Sequence, residues 1–300
     1  WNTLTTDDWD YADHRYWDKA ASSYEFYAAA PAAPAATAWT LNANTAAAND
    51  DYFTLTGFTL TSHDATDNTA KAYVNSFATA AAGSDLLIAA PCKWTNYAAK
   101  VQLQFIHILS RLNVIIKKGA GLGDNDKVYI KNLTVNGLNS TGDFDEHAAT
   151  AVTTSPGTPA SGTDRWDKLS GTVNYVGTFT AETAEVINKT DGKYYLQSLV
   201  IPQTAAFESL AVDGSVAATA PELVITYEIY NGCWTGEKTE SYTGHYNLAA
   251  CFGKATTGEK LDFKEGWQNT LTLTINPTAI MFDATVTPWS DGSANDFTID

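Results

Sequence analysis

Between Trp267 and Trp289 the chain alternates apolar and polar residues almost without error, and no other stretch restricts the fold so tightly. Leu271, Leu273 and Ile275 interleave with Thr270, Thr272 and Thr274. After Asn276 and Pro277 the pattern resumes, with Ile280, Phe282, Ala284 and Val286 set between Met281, Asp283, Thr285 and Thr287. A period of two puts every second side chain on one face of an extended strand, whereas a helix would scatter these residues around its axis. The pattern predicts two strands joined by a short turn, each with an apolar ridge backed by threonine or other polar positions.

The same reading predicts strands over 24–28, 52–60, 85–89, 101–116, 128–135, 172–179, 194–201, 223–230 and 241–249, punctuated by Gly, Asn, Asp and Pro clusters. The stretch 101–116 carries two signals. Phe105, Ile108, Leu109, Leu112, Ile115 and Ile116 fall on the stripe of an amphipathic helix. Against that, Val101, Leu103 and Phe105 alternate with Gln102 and Gln104, and Leu112, Val114 and Ile116 alternate with Arg111 and Asn113. The two alternations are one residue out of phase, as a β-bulge near 107–110 would make them, and β-branched residues crowd the second half. A bent strand is the favoured reading.

Two stretches read as loops. One is 29–37, where two prolines block the helix that its alanines favour; the other is 148–163, rich in Thr, Ser, Pro and Gly. The second marks the expected boundary between an N-terminal domain, 1–145, and a C-terminal domain, 146–300. A chain of 300 residues is comfortable as two domains of roughly 100 to 200 residues.

The chain is 44% hydrophobic and 12% aromatic, enough for packed cores. Its net charge of −16 repels phosphate backbones and anionic headgroups, so neither nucleic acid nor a membrane surface is an expected partner. Charged residues make up 17%, below the usual ~25%; Thr, Ser, Asn and Ala stand where a cytosolic surface would carry Lys and Glu. This suits an extracellular bacterial β protein. No apolar window of about 18 or more residues is present to form a transmembrane helix.

Cys92, Cys233 and Cys251 lack the spacing of a zinc knuckle or a thioredoxin-like pair. Cys233 and Cys251 flank a hairpin region, and either a disulfide formed in an oxidising compartment or two thiols fits them. Cys92, behind Pro91 and near Trp94, reads as a half-buried small hydrophobe. No catalytic motif emerges. His14, His63, His107, His147 and His245 are scattered, and there is no HExxH, GxSxG elbow or phosphate loop. His107 lies in an apolar strand and reads as a hydrogen-bonded core histidine. The turn 123–126 offers acidic oxygens without the spacing or closing Glu of a calcium loop, and reads as a solvated hairpin turn. Asp7, Asp8, Trp9, Asp10, Tyr11, Asp13 and His14 mix carboxylates with aromatics, but neighbours on one strand seldom straddle a cleft as glycosidase acids must. The expectation is a protein without catalytic, cofactor or metal residues.

Four segments resemble one family. The run 101–116 (VQLQFIHILSRLNVII), preceded by 84–91 (SDLLIAAP), is similar to the signature of the Bacteroidetes fimbrillin or Mfa-like proteins, subunits of type V pili. The opening 16–31 (YWDKAASSYEFYAAAP), the strand 194–203 (YYLQSLVIPQ) and the close 266–289 (GWQNTLTLTINPTAIMFDATVTPW) resemble further segments of that family, in the family's order.

The resemblance implies an all-β fold of two tandem transthyretin-like β-sandwich domains and a structural or adhesive pilus subunit outside the cell. It also implies assembly by strand exchange: a protease removes an N-terminal strand, and the groove so opened takes a C-terminal strand of the next subunit. Ile280, Phe282, Ala284 and Val286 are the candidate donor row. Other pilus subunits, and host or bacterial surface ligands, are the implied partners. Family precursors carry a lipoprotein signal and further strands ahead of the Tyr-Trp opening. A trimmed or processed form is therefore expected, attached to the outer membrane only through a removed lipid-anchored segment. A non-catalytic glycan-binding protein of the cell surface is the other reading, since nine tryptophans offer platforms on which sugars stack.

Overall fold

The computed structural model describes residues 2–3, 9–10, 18, 20–31, 37–43, 51–60, 85–95, 101–147, 165–177, 193–207, 220–230, 240–277, 280–288 and 297–299. Among them the fold is β throughout apart from one four-residue helix, α1 (Leu248–Cys251). Strands are numbered along the chain.

The first 110 residues supply most of a smaller core. One sheet carries β3 (Tyr24–Ala30), β6 (Leu87–Trp94) and β8 (Phe105–His107); another has the order β12 (Trp166–Ser170), β11 (Thr141–Asp145), β5 (Tyr52–Thr59) and β4 (Thr40–Asn42). Phe53, Leu55, Phe58, Leu60, Ile88, Ile108, Leu109, Phe144 and Trp166 are buried together there. Along β5 and the residue after it the buried positions change phase, from Phe53 and Leu55 to Phe58 and Leu60. Gly57 makes that possible: it takes a left-handed φ of 68° at the slip in register against β11, a conformation costly to a residue with a Cβ.

A larger core lies among two four-stranded sheets. One runs β14 (Lys193–Val200), β9 (Ser110–Lys118), β19 (Trp267–Ile275), β20 (Ile280–Pro288); the other runs β13 (Val173–Gly177), β10 (Lys127–Leu138), β16 (Glu222–Tyr230), β17 (Glu240–Asn247). Leu112, Val114, Ile116, Val128, Ile130, Leu133, Leu223, Ile225, Leu271 and Leu273 share this core. Around it lie α1 and the pair β15 (Gln203–Ala206) and β18 (Lys260–Phe263). Two short pairs complete the described strands, β1 (Asn2–Thr3) with β2 (Trp9–Asp10), and β7 (Val101–Leu103) with β21 (Phe297–Ile299).

The two signals in 101–116 resolve as strand, with a break where the alternations fall out of phase. β7, β8 and β9 belong to three different sheets. Between the last two, Ile108 and Leu109 are consecutive and both fully buried in the smaller core, and from Leu112 onward the buried residues belong to the larger one. The apparent helical stripe is therefore a chain changing cores. The strand expected over 241–249 stops at Asn247, whose side-chain oxygen accepts the Ala250 N–H at 3.0 Å and caps α1. The cores interleave along the sequence: the larger takes residues 112–138 as well as residues beyond 173, and the smaller takes Phe144, Trp166, Leu199 and Ile201.

Candidate functional site

The closing hairpin forms as its alternation predicts. β19 and β20 pair antiparallel through nine unbroken partners, from Trp267 opposite Pro288 to Ile275 opposite Ile280. Facing partners share a side of the sheet, so the four candidate donor residues sit opposite β19's inward row: Ile280 on Ile275, Phe282 on Leu273, Ala284 on Leu271 and Val286 on Asn269.

The two rows differ in burial. Leu271, Leu273 and Ile275 are fully buried. Ile280, Phe282 and Ala284 are half-buried against the larger core, and Val286 is 41% exposed. The Phe282 ring meets Tyr246 edge-on at 4.9 Å. Asp283, Thr285 and Thr287 lie exposed on the other side.

Neighbours explain the difference. β19 lies between β20 and β9, running parallel to β9 from Gln268 opposite Arg111 to Ile275 opposite Lys118. Its N-terminal end is also clamped by buried polar groups. The Ser110 hydroxyl donates to the Trp267 carbonyl at 3.0 Å, the Asn269 amide donates to the Ser110 hydroxyl at 3.1 Å, and Gly266 N–H donates to Leu109 O at 2.9 Å. Just before the strand, buried Glu265 accepts two hydrogen bonds from Arg165 Nε, at 2.9 and 3.2 Å, and a further one from Arg165 Nη2. The Arg165 guanidinium lies over the Phe144 ring at 5.3 Å, and the adjacent Trp166 indole donates to Ile108 O at 2.9 Å. The clamp thus ties the start of β19 to the smaller core. β20, by contrast, is the last strand of its sheet, and among the described residues its ladder runs to β19 alone.

The remaining sequence-singled residues do not converge. His14, His63, Asp7, Asp8, Tyr11 and Asp13 lie outside the described residues, as does Cys233. Cys251 is a buried free thiol in α1, and burial pushes its pKa up to about 12; the half-buried Cys92 thiol is also free, and burial raises its pKa. His107 pairs with Asp85 at the end of β8. His147 stacks on Tyr52 at 4.6 Å, and His245 lies 3.4 Å from Glu222. In the 123–126 turn the Asp126 carboxylate accepts the Gly123 N–H at 2.7 Å, and the Lys118 ammonium donates to the Asp126 carbonyl at 2.6 Å. Among the described residues no three His, Cys, Asp or Glu side chains are grouped to hold a metal ion, and no helix is long and apolar enough to cross a membrane. Sequence reasoning missed the Arg165–Glu265 clamp, whose halves are 100 residues apart with no local pattern to join them.

A family model described as fimbrillin-like matches residues 2–289. Among solved structures, a candidate cell adhesion protein of Bacteroides uniformis is 18% identical, over 90% of this chain and 74% of that one, with a TM-score of 0.41. A fimbrial protein of Bacteroides vulgatus is 14% identical, over 88% and 77%, with a TM-score of 0.39. The tip fimbrial protein Mfa3 of Porphyromonas gingivalis, truncated at its C-terminus, is 11% identical, over 62% and 52%, with a TM-score of 0.31. Among curated proteins none matches.

Proposed function

This chain belongs to the fimbrillin-like family, and on that footing we propose that it is a fimbrial subunit of the cell surface that joins its neighbours by strand exchange, with β20 as the lent strand. The observation that carries the reading is the contrast within one hairpin. β19 is buried and clamped, while β20 is an edge strand whose apolar row is half-buried and ends in an exposed Val286.

A lent strand has two requirements: alternate side chains that fill pockets and a row of backbone groups that completes a foreign ladder. Ile280, Phe282, Ala284 and Val286 supply the first, and the outer edge of β20 supplies the second. Full burial of a large apolar side chain is worth roughly 1.5 to 3 kcal/mol. The subunit's own fold realises only part of that for Phe282 and Val286, so a groove that encloses the row holds β20 more tightly than its own sheet does. Ladder hydrogen bonds add about 1 kcal/mol each, and because they break together the joined subunits part slowly.

In this reading two transthyretin-like sandwiches surround the smaller and the larger core, and the groove opens in the first when a protease removes its leading strand. Other fimbrial subunits are the direct partners, surface ligands the adhesive ones. A lipid-anchored precursor accounts for attachment to the outer membrane before assembly.

Phe282→Asp tests the donor role. In protease-trimmed protein viewed by electron microscopy, the variant is expected to form no fibres while keeping a β-type circular dichroism spectrum and a cooperative melt. A fibre yield equal to that of the unaltered chain would overturn the role of β20.

A further inference from the structure

The turn from which β20 departs rests on two glycines whose backbones do not require glycine. Gly119 follows β9 and donates its N–H to the Ile275 carbonyl at 2.7 Å, beside the pairing of Lys118 with Ile275. A Cβ built on Gly119 would lie 1.9 Å from Asn276 Oδ1 and 2.5 Å from Asn276 Cγ. One on Gly121 would lie 3.1 Å from Pro277 Cδ. Neither glycine is among the described glycines with positive φ. What glycine provides at 119 and 121 is therefore room, taken at 119 by the end of the Asn276 side chain and approached at 121 by the Pro277 ring.

The support beneath that turn is stiff. Leu122 is 3% exposed and part of the larger core, and its N–H donates to Gly119 O at 3.2 Å. The buried Lys118 ammonium donates to Asp126 O, closing the loop from its far end. Asn276 thus sits on a fixed surface at the one covalent link between β19, which stays, and β20, which lies at the edge.

We propose that Gly119 and Gly121 form a seat for the Asn276–Pro277 turn, and that this seat sets how readily β20 leaves its own sheet. The functional sense of the seat rests on the strand-exchange reading above: it is the latch that keeps the lent strand at home until a groove is available. Its physical action does not depend on fibres. A methyl group at 119 drives the Asn276 side chain off its seat, and in this proposal the turn, without that contact, lets the ladder fray from the Ile275–Ile280 end.

Hydrogen exchange of the full, unassembled chain tests this directly. In Gly119→Ala the β20 amides are expected to exchange at least about tenfold faster, the scale on which displacing a tightly packed group acts, while β10 and β16 keep their protection. Alanine is otherwise an allowed residue at this φ and restricts the unfolded chain, so on backbone grounds alone it would favour the fold. The double variant Gly119→Ala/Asn276→Ala, in which the new methyl takes the room the amide vacates, is expected to return β20 to within about threefold of the original rate, a non-additivity that neither change alone produces. Unchanged β20 exchange in Gly119→Ala, a loss of protection spread equally over β10 and β16, or a double variant as fast as the single would each overturn the seat. The measurement needs no assembly, so it stands or falls apart from the fibre yield of Phe282→Asp.

Discussion

β19 and β20 have the same apolar–polar alternation, yet one is enclosed between two strands and the other is the most accessible strand of the sheet. β19 has a neighbour on both sides and a polar clamp at its start; among the described residues β20 has one neighbour, and its row of side chains reaches solvent at Val286. An amphipathic strand pattern specifies which residues face a core. It leaves open whether a second strand will close the far side, and in this hairpin that difference separates a strand paired on both sides from one paired on one side among the described residues.

The comparison is broken most severely at the clamp. Removing one partner of a buried, hydrogen-bonded ion pair costs about 3 to 5 kcal/mol, because the other charge is left buried and unpaired. Glu265→Ala is expected to lose that much stability in urea unfolding, with Arg165 stranded over Phe144. A loss no greater than that of a surface substitution would mean that β19 is held by its ladder and apolar row alone.

Truncating the two rows at facing positions gives the next largest effect. Leu273 is fully buried and Phe282, opposite it, is half-buried. Leu273→Ala is expected to cost about 2 to 5 kcal/mol. Phe282→Ala, although it removes more atoms, is expected to cost less, since part of the ring is already in water and the edge can close on the space left. Equal losses in denaturant midpoints would show the two strands to be alike in their own fold, and the idea of a releasable edge would fail.

Much of this was legible in the sequence, for reasons that also mark where legibility ends. The hairpin is long and regular, and the strands β10, β14 and β16 are rich in apolar and β-prone residues, so local pattern suffices even though β10 and β14 slip in register against their neighbours. β11, β12, β15 and β18, with sequences such as TGDFD, QTAA and KLDF, lack a repeated apolar face and become strands through partners far along the chain. The stripe in 101–116 misleads for the same reason: its period is broken by a change of core at Ile108 and Leu109, which no local window can display. The loop composition of 148–163 suggested a division near 145, and that stretch lies outside the described residues. For the candidate site, the alternating row of β20 was readable and its edge position was not. That position depends on β9, more than 150 residues earlier, lying parallel along the other side of β19. Gly119 and Gly121 gave no signal, since a glycine needed for room looks the same in sequence as one needed for a turn.

The smallest expected effect on the isolated subunit is at Val286, and it sharpens the comparison most. Val286 is 41% exposed at the open end of the row, opposite Asn269. In Val286→Asp the new carboxylate stays solvated, so subunit stability should change by no more than about 0.5 kcal/mol, the usual range for surface positions. In a groove that encloses the row, the same carboxylate would be stripped of water without a partner, a change that burial penalises by several kcal/mol. The expected result is a variant with the melting temperature of the unaltered chain and a strongly reduced yield of fibres. If instead the melting temperature falls as far as in Leu273→Ala, then Val286 is enclosed within its own subunit, and the open end of β20 on which strand exchange relies does not exist.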